Sequence, residues 1–78
     1  MEIVIGNDQE RDNLFAEIQV DGQPWAEVIY DDKKEAYVLT IFPSDNDDWL
    51  VVDLAEARRA LLDAKSKLVA RGYPDLKV

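Results

Sequence analysis

Chemistry in this chain would have to come from its carboxylates. The 78 residues include 17 aspartates and glutamates against nine lysines and arginines, with neither histidine nor cysteine. The missing imidazole removes the commonest general base, and the missing thiolate removes the soft ligands of zinc. Thr40, Ser44 and Ser66 are the only aliphatic hydroxyls, and no histidine stands ready to activate them as nucleophiles. Asp45, Asp47 and Glu56 occupy positions 1, 3 and 12 of a calcium-loop frame. Trp49 and Leu50 break that frame, because they stand where an oxygen ligand and a glycine are required. Asp8, Glu10 and Asp12 alternate around Arg11 and read as a solvated loop, with binding of a cation or a basic partner as the alternative. No glycine-rich phosphate loop is present. The residues point away from an enzyme and call for no cofactor and no metal.

A second kind of chemistry, recognition, is better represented. Phe15, Trp25, Ile29, Val38 and Phe42 are large and apolar, Glu17 and Glu27 are interleaved with them, and Asp45, Asp47 and Asp48 follow in an acidic loop. An apolar and aromatic patch rimmed by acids suits protein binding. These residues become one surface only if strands bring them to the same side.

The alternation supplies such strands. Glu2 to Ile5 is a short β-like run, and Gly6 to Asn13 is polar and reads as a loop. Leu14, Ala16, Ile18 and Val20 alternate with Phe15, Glu17 and Gln19, and Asp21-Gly22 is a hairpin signal. Pro24 to Asp31 and Ala36 to Phe42 are the next strands, joined by the polar turn Asp32 to Glu35. If Val20 faces Pro24 across a three-residue loop, Ile18 faces Ala26, Ala16 faces Val28 and Leu14 faces Tyr30. If Asp31 faces Ala36, then Tyr30 faces Tyr37, Val28 faces Leu39 and Ala26 faces Ile41. These residues share one almost wholly apolar face, and a one-residue slip of the first hairpin would place Glu27 among them. The opposite face then carries Phe15, Glu17, Trp25, Glu27, Ile29, Val38 and Phe42, with Glu17 unfavourably across from Glu27. Pro43 closes the last strand, and Trp49 to Val52 is either a fourth strand or a lead into a helix.

That helix spans Asp53 to Arg71. Asp53 and Glu56 form a capping-box pattern, and Leu54, Ala57, Leu61, Ala64 and Leu68 form one stripe. Gly72 suits the left-handed stop, Tyr73 can fold back on Leu68, and Pro74 prevents resumption. The stripe is expected to cover the apolar sheet face, including Tyr37, Leu39 and Ile41. The expected fold is therefore α+β: an antiparallel β-meander of three to four strands with one C-terminal helix packed on one face, a single domain over residues 1–78.

Charge narrows the partners. Residues 1–53 carry 14 acids and three bases, whereas residues 54–78 carry three acids and six bases. The acidic body repels nucleic-acid phosphates and anionic membranes and attracts basic protein surfaces. Part of the helix charge is internally matched, since Arg59–Asp63 and Asp63–Lys67 are four-residue pairs. The first residues lack the basic and apolar regions of a signal peptide, and no run approaches a membrane span, so a cytoplasmic protein is expected.

The order of strands and helix over residues 24–71, with the helix opening Asp53-Leu54-Ala55-Glu56-Ala57, is loosely similar to the N-terminal half of HicB-type antitoxins. In that family a three-stranded sheet precedes a helix that often opens with a Thr-Leu-Glu-Glu-Ala run. The chain departs from the family where a Pro-Asp-Leu-Pro-Gly-Cys type segment is expected, and has Ser44 to Val52 instead. In size and charge it also resembles small acidic immunity proteins and phage-encoded inhibitors of basic, nucleic-acid-acting proteins. Sequence reasoning thus favours a non-catalytic protein-binding module with a basic partner. The alternative is a homo-oligomeric accessory domain that self-associates through the sheet face around Trp25.

Overall fold

The computed structural model describes residues 1–10, 12–44 and 49–77. Four strands, β1 (Glu2–Asp8), β2 (Asn13–Val20), β3 (Gln23–Asp31) and β4 (Ala36–Ile41), form one antiparallel sheet in the order β1-β2-β3-β4. The helix α1 (Leu54–Val69) packs on one face of it. Residues 49–53 form no strand and lead directly into the helix.

β1 corrects the loop expected at Gly6–Asn13. It runs through Gly6, Asn7 and Asp8, which pair with Phe15, Leu14 and Asn13. The polarity of these residues concealed a strand because β1 is an edge and half of its groups meet water. Gly6 suits that place, since the Phe15 ring lies where a Cβ on residue 6 would go and would have to shift to admit one.

The hairpin between β2 and β3 turns through Asp21 and Gly22, both at positive φ (51° and 78°). Two positive φ values make a type I′ turn, whose twist matches that of paired strands. Val20 therefore faces Gln23, and Gln19 faces Pro24, in place of the expected Val20–Pro24 pair. The register then shifts between Ile18 and Gln19, which restores the expected pairs Ile18–Ala26 and Ala16–Val28. Trp25 is the surplus residue. A bulge re-aims side chains, and this one puts Trp25, 7% exposed, into the buried cluster of Ala16, Ile18, Ala26 and the helix alanines. Its indole Nε1 is buried without a hydrogen-bond partner.

The β3–β4 pairing matches the expected register from Asp31–Ala36 to Ala26–Ile41. Asp31 Oδ1 accepts from the backbone N–H groups of Lys33 (3.0 Å) and Lys34 (3.3 Å), and Glu35 closes the turn at φ 51°.

Both ends of α1 follow the sequence signals. Asp53 Oδ2 accepts from Glu56 N at 2.9 Å. Gly72, at φ 102°, donates to Val69 O, and Tyr73 N donates to Leu68 O, the paired bonds of a Schellman stop. The buried stripe differs from the expected one. It consists of Ala57, Ala60, Ala64 and Leu68, with Leu61 packed beside it, whereas Leu54 is 82% exposed. The helix lies mainly over β2, less over β1 and less again over β3. A helix is about 10 Å across and strands lie about 4.8 Å apart, so one helix covers roughly two to three strands. Once β1 joins the sheet, the covered strands are β1 to β3. The expected cover over Leu39 and Ile41 is therefore absent, and these residues are 45% and 66% exposed.

A tyrosine clasp closes one end of the core. Tyr73 Oη bonds Asn13 Oδ1 and accepts from Leu14 N at 2.9 Å, while Asn13 Nδ2 donates to Tyr30 O at 2.7 Å. Tyr37 Oη donates to Pro74 O at 2.6 Å, and Lys65 Nζ lies 2.8 Å from Asp75 Oδ1. The Tyr30 ring meets those of Tyr37 and Tyr73 at centroid distances of 5.3 and 6.2 Å.

Candidate functional site

The helix-free face of the sheet is built in two rows by the strand register. Gly6, Phe15, Ile29 and Val38 lie side by side across all four strands, and Val4, Glu17, Glu27 and Thr40 form the adjacent row. The apolar row is packed within itself. The Phe15 ring covers Gly6, Phe15 and Val38 are half-buried, and Ile29 is only 3% exposed. Ile29 lies on β3 between Phe15 and Val38.

The acidic row brings Glu17 directly opposite Glu27, as the register predicts. Both side chains are half-buried, and Glu17 Oε2 accepts from Gln19 Nε2 at 2.7 Å. Two carboxylates on neighbouring strands concentrate negative potential at the centre of the face.

A cleft of about 410 Å³ opens at the end of the apolar row. Ile29 and Val38 line it together with Glu10, Asp31, Asp32 and Lys33, and Asn13 and Tyr30 complete the wall. The Asp31 carboxylate is engaged with its own turn, whereas Glu10 and Asp32 are exposed. Exposed carboxylates beside the half-buried Val38 match the two parts of a lysine or arginine side chain, a cationic head and an aliphatic stem.

Five of the residues singled out in the sequence, Phe15, Glu17, Glu27, Ile29 and Val38, share this face. Phe42 lies just past β4, half-buried, and its N–H donates to Trp25 O at 2.8 Å. Trp25 was expected at the centre of the face and instead belongs to the core, for the bulge reason given above. Asp45, Asp47 and Asp48 lie outside the described residues. Asp8, of the other acidic segment, accepts from Glu10 N at 3.1 Å and shapes the β1–β2 turn. Among the described residues no three acids gather as a metal site would require, and no helix is long and apolar enough to cross a membrane.

Asp32 sits in a turn where acids are ordinary and is unmarked in the sequence, whereas Glu10 belongs to the alternating segment Asp8, Glu10, Asp12 that offers a basic partner as its alternative reading. The hairpin register, which sets the two turns beside one another at one end of the sheet, was the available signal. Comparison with protein-family models, curated proteins and solved structures finds no match to this chain.

Proposed function

We propose that this protein is a non-catalytic binding module that presents its helix-free sheet face to a basic protein. The observation that carries the reading is the cleft, where the exposed carboxylates of Glu10 and Asp32 stand with Ile29 and Val38 in one lining and outnumber its single cation among the described residues, Lys33. It would receive a lysine or arginine of the partner, while Glu17 and Glu27 raise the encounter rate. A basic nucleic-acid-acting protein fits as the target, in the manner of an antitoxin, an immunity protein or a phage inhibitor. The cytoplasm is the proposed compartment. The lack of histidine and cysteine supports a role that needs no catalytic group.

Affinity capture from the native host at low and high salt tests this. Wild-type protein should retain basic proteins at low salt and release them at high salt. The double variant Glu10→Lys/Asp32→Lys should fail to retain them at either. Equal retention by the variant, or capture indifferent to salt, rejects the reading.

A further inference from the structure

The uncovered strand β4 carries a second surface, and its hydrogen-bond pattern says what fits it. In an antiparallel pair, alternate residues turn their N–H and C=O groups toward the neighbour. Phe42 N donates to Trp25 O, so Thr40 and Val38, two and four residues earlier, also face β3. Tyr37, Leu39 and Ile41 therefore direct their backbone groups outward, where β4 has no neighbouring strand among the described residues. Edge strands are ordinarily guarded by charge, proline, bulges or cover. β4 reads Ala-Tyr-Val-Leu-Thr-Ile, with no charge, proline or glycine, and its pairing with β3 is free of bulges.

We infer that β4 pairs antiparallel with β4 of a second copy of this chain, on a two-fold axis through Leu39. The inference is independent of any basic partner. A two-fold axis perpendicular to the sheet reverses strand direction and keeps each residue on its own face. Centred on Leu39, it sets Leu39 against Leu39, Tyr37 against Ile41 and Val38 against Thr40. All three outward residues then fall in hydrogen-bonded pairs, which gives six new backbone bonds. Centring on Val38 would give only four, from Tyr37 and Leu39. The side chains agree with the favoured register. Leu39 and Ile41, 45% and 66% exposed, meet apolar partners on the helix side, and Val38 meets Thr40 on the other.

Two molecules of net charge −8 repel, so charge favours pairing at the β4 edge over the β1 edge. β4 is the uncharged strand of the sheet, whereas the β1 edge carries Glu2 and Asp8. The turn that enters β4 mixes Lys33 and Lys34 with Asp32 and Glu35. Beside the edge, an apolar groove of about 200 Å³ lined by Leu39, Leu61 and Leu62 runs between β4 and α1. Pairing would join the two grooves into one apolar channel flanked by both helices, and the helix-free faces would become one continuous eight-stranded surface.

Sedimentation of the full chain over a wide concentration range tests the pairing. A monomer–dimer equilibrium is expected. Leu39→Lys should weaken it by at least about tenfold, by setting two like charges across the axis. Val4→Lys, on β1, should leave it unchanged. If Leu39→Lys fails to fold, Leu39→Pro serves instead, since that N–H makes no bond within the sheet. In the cysteine-free chain, Leu39→Cys should be cross-linked by a short bismaleimide. Val4→Cys should not, because the two β1 strands would lie seven strand spacings, about 34 Å, apart. A chain that is monomeric at every concentration overturns the inference, as does a dimer indifferent to Leu39→Lys or cross-linked through residue 4. A monomer that loses a foreign partner on Leu39→Lys assigns the edge to that partner and overturns self-pairing.

Discussion

At the scale of single residues, one glycine and one tyrosine carry testable consequences. Phe15 holds its place on the helix-free face by lying over Gly6. Gly6→Ala should therefore destabilise the fold by about 1–3 kcal/mol in urea titration, the usual range for overpacking. Combining it with Phe15→Leu should recover part of the loss, because the smaller side chain vacates the space; strictly additive losses would refute the contact. Tyr37 has its phenol pushed above its usual pKa, first by burial, then by the Asp75 carboxylate and then by Tyr30 and Tyr73. Below pH 10 both folded and unfolded chains keep this proton. Above the unfolded value of 10.0 the unfolded chain releases it first, so stability falls as pH rises until folded Tyr37 also ionises. The urea midpoint of wild type should thus drop more steeply above about pH 10 than that of Tyr37→Phe, and parallel curves would exclude the linkage. Trp25 shows how residue-level reading fails. Alternation assigns a side chain to a face only while the count along the strand is unbroken. Trp25 and Ala26 are both apolar, so their pattern gave no sign that one residue had been skipped.

At the scale of elements, the ends of α1 and the β3–β4 register were legible because each has a local cause. Asp53 and Gly72 act on their own backbone neighbours, and the four-residue turn at Asp32–Glu35 sets the pairing beyond it. The face that the helix buries was less legible, since both candidate stripes contain Ala57, Ala64 and Leu68. What decides between them is how many strands lie beneath, which is a tertiary quantity. The observed stripe makes a contrast that the expected one does not. Leu68→Ala should cost about 2–5 kcal/mol as a buried truncation. Leu54→Ser should change stability by no more than about 0.5 kcal/mol. Thermal melts of the two variants would separate the stripes, and a comparable loss for Leu54→Ser would return that residue to the core.

At the scale of the whole molecule, the helix is off-centre on its sheet, and both proposed surfaces follow from that. One helix on four strands leaves an entire face for the acidic and apolar rows, and leaves β4, the edge strand beyond β3, without full cover. The composition made the charge asymmetry plain, with the acids in the sheet half and the bases in the helix half. It did not reveal the two-turn cleft or the unguarded edge, because both depend on which turns and strands come to lie at one end or one side of the sheet.

The tyrosine clasp has a temporal meaning as well. Tyr73 reaches back 59 residues to Leu14 and 60 to Asn13. The meander, made of neighbouring hairpins, can pair as soon as β4 leaves the ribosome. The clasp must wait for Tyr73, roughly thirty residues beyond the end of β4. For that interval Ile18 and Val28 have no helix secured above them, so the nascent sheet is at its most adhesive after its hydrogen bonds are complete. A factor that shields nascent chains would find its footing on the face that the finished protein hides.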